Sequence, residues 1–140
     1  MNITGVESIL YGCRDIATAQ RFFTDLGFAV DERSTDQTSF RLPDNSTVIL
    51  RSVDDLSLPA APVEGDTARE VIWGVDNAST LASISTELSR DRDVAESGDG
   101  VLHSIDDSGH AIGFRVSQRQ SLSLELPLTN TPGNRLRRNR

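Results

Sequence analysis

The chain has 140 residues, 36% of them hydrophobic and 25% charged, with a formal net charge of −7; it is long enough to bury the core of about one domain. No apolar run approaches the ~20 residues of a membrane span, and the N-terminus lacks the basic and apolar segments of a signal peptide. Residues 1–118 carry 9 Arg against 20 Asp and Glu, an acidic body that argues against nucleic acid as a partner, because phosphate binding needs a positive face.

Val6–Cys13 reads as a strand. Asp15 follows as a helix cap, and Ile16, Ala19, Phe22, Phe23 and Leu26 fall at helical spacing on one face. Gly27 stands where a helix commonly ends in a left-handed residue. Phe28–Arg33, Thr38–Leu42 and Thr47–Val53 then read as three short strands, the last two separated by the Pro43-Asp44-Asn45-Ser46 turn signal. Residues 54–68, with Pro59, Pro62, Gly65 and several acids, read as an exposed linker.

A second strand starts near Arg69, and Asn77 caps a helix with Leu81, Ile84 and Leu88 on its apolar stripe. Arg92–Glu96 is a weak strand candidate, and Val101–Ile105 and Ala111–Val116 form a hairpin around Asp106-Asp107-Ser108-Gly109. Beyond residue 118 the pattern changes. Ser121–Leu128 alternates like an added edge strand, and Thr129–Arg140 is an Arg-rich stretch with few apolar anchors, expected to be a linker or loose end.

These elements are a duplication. Glu70–Asn77 repeats Ser8–Asp15 at an offset of 62 residues, with Trp73 on Tyr11, Gly74 on Gly12 and Asn77 on Asp15, and the match continues through Thr80 on Thr18 and Leu88 on Leu26. The chain is therefore expected to be one α+β domain, residues 1–118, of two tandem βαβββ units, 3–53 and 69–117, joined by the linker 54–68.

Two such units, punctuated by Gly5-Val6, Arg14-Asp15, Phe22-Phe23, Leu26-Gly27-Phe28 and Asp107-Ser108-Gly109-His110, resemble the vicinal oxygen chelate superfamily of glyoxalase I, bleomycin-resistance proteins and type I extradiol dioxygenases. The resemblance implies curved sheets lining a cup, with helices outside. It also implies a divalent metal held by two ligands from the units' first strands and two from their last strands. By alignment those positions are Ser8, Leu50, Glu70 and Gly113. Leu50 and Gly113 have no ligand atom, a neutral Ser8 is a poor ligand, and one carboxylate is not a metal site. No metal or other cofactor is therefore expected in this chain.

Strand alternation assigns the cup lining. With Ser8 and Glu70 facing inward, Leu10, Gly12, Ile72 and Gly74 follow on the first strands, and Val48, Leu50, Ser52, Ala111, Gly113 and Arg115 on the last. Ser8, Leu10, Leu50, Glu70, Ile72, Gly113 and Arg115 are the candidate ligand-binding residues, none of them catalytic. They suit a small apolar or aromatic ligand, although side chains alone can fill such a cup. Arg115 is the expected partner of Glu70, since a lone buried carboxylate is costly. Cys13 is expected to be a small buried hydrophobe, which fits a reducing cytoplasm and excludes an intrachain disulfide. His110 is expected in a polar turn, and neither it nor His103 has an identifiable catalytic partner.

Two functions follow from the resemblance. One is the metal-free N-terminal domain of an extradiol ring-cleavage dioxygenase-like protein, not catalytic by itself and completed by a C-terminal domain. The other is a stand-alone small-molecule-binding protein of the bleomycin-resistance kind, working as a homodimer.

Overall fold

The computed structural model describes residues 2–61 and 63–123. Its elements are β1 (Ile3–Cys13), α1 (Ile16–Asp25), β2 (Val30–Arg33), β3 (Gln37–Arg41), β4 (Thr47–Ser52), β5 (Thr67–Val75), α2 (Ala78–Leu88), β6 (Ala95–Glu96), β7 (Leu102–Ile105) and β8 (Ala111–Val116). This is the expected α+β duplication, with the strands expected at Phe28 and Arg92 starting later, at Val30 and Ala95. Of the strand expected over 121–128, residues 121–123 carry no regular structure. The rest of it, with the tail 129–140, lies outside the described residues.

Both helices start as the sequence requires. The Asp15 carboxylate accepts from the Thr18 amide at 2.9 Å and the Thr18 hydroxyl at 2.7 Å, and the Asn77 side chain accepts from the Thr80 amide at 2.9 Å. Each amide hydrogen bond satisfies a backbone donor that the first helical turn leaves without a partner. α1 ends at Gly27, whose φ of 94° lets the chain reverse so that the Phe28 amide reaches the Phe23 carbonyl at 3.0 Å.

The eight strands form one curved sheet in the order β2-β3-β4-β1-β5-β8-β7-β6. Within each unit the first strand runs parallel to the last, as β1·β4 and β5·β8, while β1 and β5 pair antiparallel and fuse the two units edge to edge. Under α1 lies a core of Cys13, Phe40, Val48 and Leu50, packed against Tyr11, Ile16, Ala19, Phe23 and Phe28. Phe23 stands at its centre, with the rings of Tyr11, Phe28 and Phe40 at 5.8, 5.5 and 5.5 Å.

This core corrects the assignment of β4. Leu50 is fully buried beneath α1, and Val48 packs beside it, so neither faces the cup. The reason is register. Ser8 pairs with Thr47 and Leu10 with Ile49, whereas in the second unit Glu70 pairs with Ala111 and Ile72 with Gly113. The second unit thus carries two extra residues before its last strand, where the sequence alignment allowed one. A one-residue slip moves every side chain of a strand to the other face. The position matching Gly113 is Ile49, not Leu50.

Candidate functional site

The inner face of the sheet carries two rows of side chains, one running Thr47, Ser8, Ile72, Gly113, His103 and the other Ile49, Leu10, Glu70, Ala111, Ile105. Ile72 folds over Gly113, where a Cβ would collide with its δ-methyl and approach the Leu102 carbonyl within 3.0 Å. The floor at the junction of the units is therefore closed by side chain. A cavity opens on each side of it.

The larger cavity, about 530 Å³, lies in the second unit and is lined by Leu10, Pro59, Ala60, Val94, Ile105 and Ala111, with Glu70 and His103 among its polar groups. Pro59 and Ala60 belong to the stretch expected to be an exposed linker, which here forms part of the cavity wall. Glu70 is buried on β5, and its Oε1 lies 2.7 Å from Nδ1 of His103 on β7. An ionised carboxylate only accepts, so the Nδ1–H donates and fixes the imidazole ring. Nε2 lies 3.0 Å from the Ser97 hydroxyl, which in turn is 2.5 Å from Asp99 Oδ1 and 3.2 Å from the Val101 carbonyl. The Ser97 hydroxyl holds the Asp99 carboxyl below the usual carboxylate range against the opposing effect of burial, with Arg115 helping at longer range.

The Glu70–Arg115 pair expected from sequence does not form. Arg115 is level with Gly74 on β5, four residues from Glu70, a rise of ~13 Å along the strand. His103 holds Glu70 instead. The sequence signal for it was present: His103 lies on the hairpin strand beside β8, and alternation puts it on the same face as Gly113.

The smaller cavity, about 250 Å³, contains Ser8, Thr47, Ile49 and Arg115. Glu7 also lines it, and sequence alternation missed this residue. β1 bulges between Val6 and Ser8, so Glu7 is the extra residue opposite β5. Its carboxylate lies on bare Gly74, where a Cβ would displace it. It accepts from the Ser117 hydroxyl at 2.6 Å and the Gln118 amide at 3.0 Å.

Of the seven candidate residues, Ser8 and Arg115 thus line the smaller cavity, Leu10 and Glu70 line the larger one, Ile72 and Gly113 close the floor, and Leu50 belongs to the helix-side core. In the observed register, the positions that the resemblance gives to a metal are Ser8, Ile49, Glu70 and Gly113. They offer one carboxylate, already bound to His103, and one hydroxyl, bonded to Thr47 at 3.0 Å. That donor set does not fit a divalent metal. Among the described residues no group of three or more His, Cys, Asp and Glu side chains converges elsewhere.

The chain has the fold of the vicinal oxygen chelate proteins. An extradiol ring-cleaving dioxygenase from B. fuscum superposes with a TM-score of 0.68 at 14% identity, over 86% of this chain and 34% of its own. A variant of homoprotocatechuate 2,3-dioxygenase from Brevibacterium fuscum gives 0.68 at 13%, with the same coverage. A Mn(II)-bound glyoxalase from Novosphingobium aromaticivorans gives 0.61 at 14%, over 86% of this chain and 42% of its own. The chain therefore spans about a third of the dioxygenases it matches. No family model and no curated protein matches the sequence. Among the described residues no helix is long and apolar enough to cross a membrane.

Proposed function

We propose that this chain is a metal-free ligand-binding domain that holds a small apolar or aromatic molecule in its second-unit cavity. The observation that carries this reading is the cavity itself: about 530 Å³, walled mainly by aliphatic side chains, with Glu70 and His103 converging at one place. Such a lining, apolar with a few fixed polar groups, is the usual form of a small-molecule site. Both ring nitrogens of His103 are engaged, so the imidazole is a fixed wall, and the second oxygen of Glu70 is one acceptor open to a ligand hydroxyl.

The chain's match to a third of the dioxygenases' length supports its service as the non-catalytic N-terminal domain of an extradiol dioxygenase-like protein, beside a second domain that carries the metal. A homodimeric binding protein of the bleomycin-resistance kind would use the same cavity.

Amide chemical shifts of the chain titrated with phenol, catechol and toluene test the proposal. The aromatic probes are expected to move the signals of Leu10, Glu70, His103 and Ala111. Silence there with all three overturns the ligand reading. Retention of about one iron, manganese, zinc or nickel per chain after exhaustive dialysis overturns the metal-free part.

A further inference from the structure

We propose that the smaller, first-unit cavity is a second binding site, built for a small zwitterion carrying both a carboxylate and an ammonium group. Most charges lining it are already matched within the protein. Arg41 pairs with Asp31 at 2.8 Å and donates to Asn45 at 2.9 Å. Glu7 is held by Ser117 and the Gln118 amide.

Of the five charged side chains in the lining, Arg115 and Glu32 make neither an ion pair nor a side-chain hydrogen bond among the described residues, although the Arg115 charge is felt by Asp99 at longer range. Arg115 takes part in none of the ion pairs among the described residues, and its Nε is sealed from water with no hydrogen-bond partner there. A buried guanidinium donor without an acceptor is costly and calls for a missing partner. Glu32 lines the same cavity and is also outside those ion pairs. It sits on β2, level with Ser39, just past the irregularity that follows Val30.

β2 and β8 are five positions apart in the sheet, yet Arg115 and Glu32 line one cavity of about 250 Å³. The sheet therefore curls until the two strands face each other. Between them lie neutral hydrogen-bonding groups, among them the Gln37 amide and the Ser39 and Thr47 side chains. A simple anion would satisfy Arg115 but meet Glu32, Glu7 and Asp31. A simple cation would leave the buried Arg115 Nε without an acceptor. A molecule with both charges satisfies both ends: its carboxylate accepts from Arg115 in charge-assisted hydrogen bonds, and its ammonium donates to Glu32. The cavity's size, below the usual range for drug-sized ligands, limits the occupant to about an amino acid or small dipeptide.

The test is an amide-shift and calorimetric titration with the standard amino acids and glycylglycine, set against propionate and propylamine as half-molecules. At least one zwitterion is expected to bind, moving the signals of Ser39, Thr47 and Arg115, and each half-molecule to bind at least about tenfold more weakly. Arg115→Gln and Glu32→Gln are each expected to weaken that zwitterion by about tenfold or more. Glu32 is exposed on a strand at the sheet edge, so its variant tests the site without touching the buried guanidinium. The proposal is overturned by a panel in which no zwitterion binds, by affinity unchanged in Glu32→Gln, or by propionate binding as tightly as the best zwitterion.

Discussion

Replacing His103 by Ala should cost the fold more than replacing Arg115 by Ala, although the sequence assigns the carboxylate of Glu70 to Arg115. The Glu70 side chain is 10% exposed and the His103 side chain 37%. Breaking a fully buried pair costs about 3–5 kcal/mol, because a charge is left without a partner. His103 is more than a third exposed and its cavity admits water to the vacated side, so His103→Ala should cost about 1.5–2 kcal/mol, discounted from that scale. Glu70→Leu in the same background removes the stranded charge, and the double variant should recover about 1 kcal/mol of the summed single losses. Arg115→Ala breaks no ion pair among the described residues and should cost less than about 1 kcal/mol. Urea unfolding followed by fluorescence of Trp73, the sole tryptophan, measures all four at constant slope. The reasoning is refuted by strict additivity of the Glu70 and His103 changes, or by Arg115→Ala costing more than His103→Ala.

Two further outcomes follow from the packing. Leu50→Ala should cost about 3 kcal/mol or more, since it empties a fully buried site under α1, and Ile49→Ala on the open inner face about half as much; equal losses in urea midpoint would mean the register of β4 is misplaced. Burial raises the Cys13 thiol above its ordinary value, Asp66 adding to the effect and Arg69 opposing it. Above about pH 8.5 the unfolded thiol therefore releases its proton while the folded one keeps it, and stability should fall with pH by at most about 1.4 kcal/mol per unit from this group. That component of the slope should vanish in Cys13→Ala, and an unchanged alkaline slope would place the thiol's titration elsewhere.

The fold was legible because the duplication repeats the whole local code. Asp15 and Asn77 cap the two helices where the repeat places them, and Tyr11 takes the helix-side position that alternation assigns. What failed was register. Nothing in the sequence of β4 distinguishes Ile49 from Leu50 as the inward residue, since both are apolar and both neighbours are compatible with either face. The choice is made by hydrogen bonding to β1 and by the two residues that the second unit adds between its helix and the end of β7. The bulge at Glu7 escaped for a related reason: strict alternation sends Glu7 outward when Ser8 faces in, and only the pairing with β5 shows that one residue is extra. The Glu70–His103 contact spans 33 residues, and it was reachable only by carrying alternation across the β7–β8 hairpin as well as along the first and last strands.

Those local departures explain why a duplicated fold carries two unlike halves. The resemblance gives metal ligands to positions that the repeat supplies twice, Ser8 with Glu70 and Ile49 with Gly113. In this chain the two copies differ at these positions. Ser8 has joined Thr47 in a neutral hydroxyl pair, and Glu70 has joined His103. Ile49 lines the smaller cavity, while Gly113 is covered by Ile72, so the axis itself is filled by hydrocarbon. Once the centre is closed, the two flanks no longer share a ligand and are free to differ in polarity. The first cavity gathers charged groups from β2, β3, β8 and the β1 bulge, whereas the second gathers aliphatic groups from β7 and from the linker. A single substrate bridging both sides would have to displace Ile72. The side-chain packing instead divides the cup into two cavities, the second with the larger share of aliphatic lining.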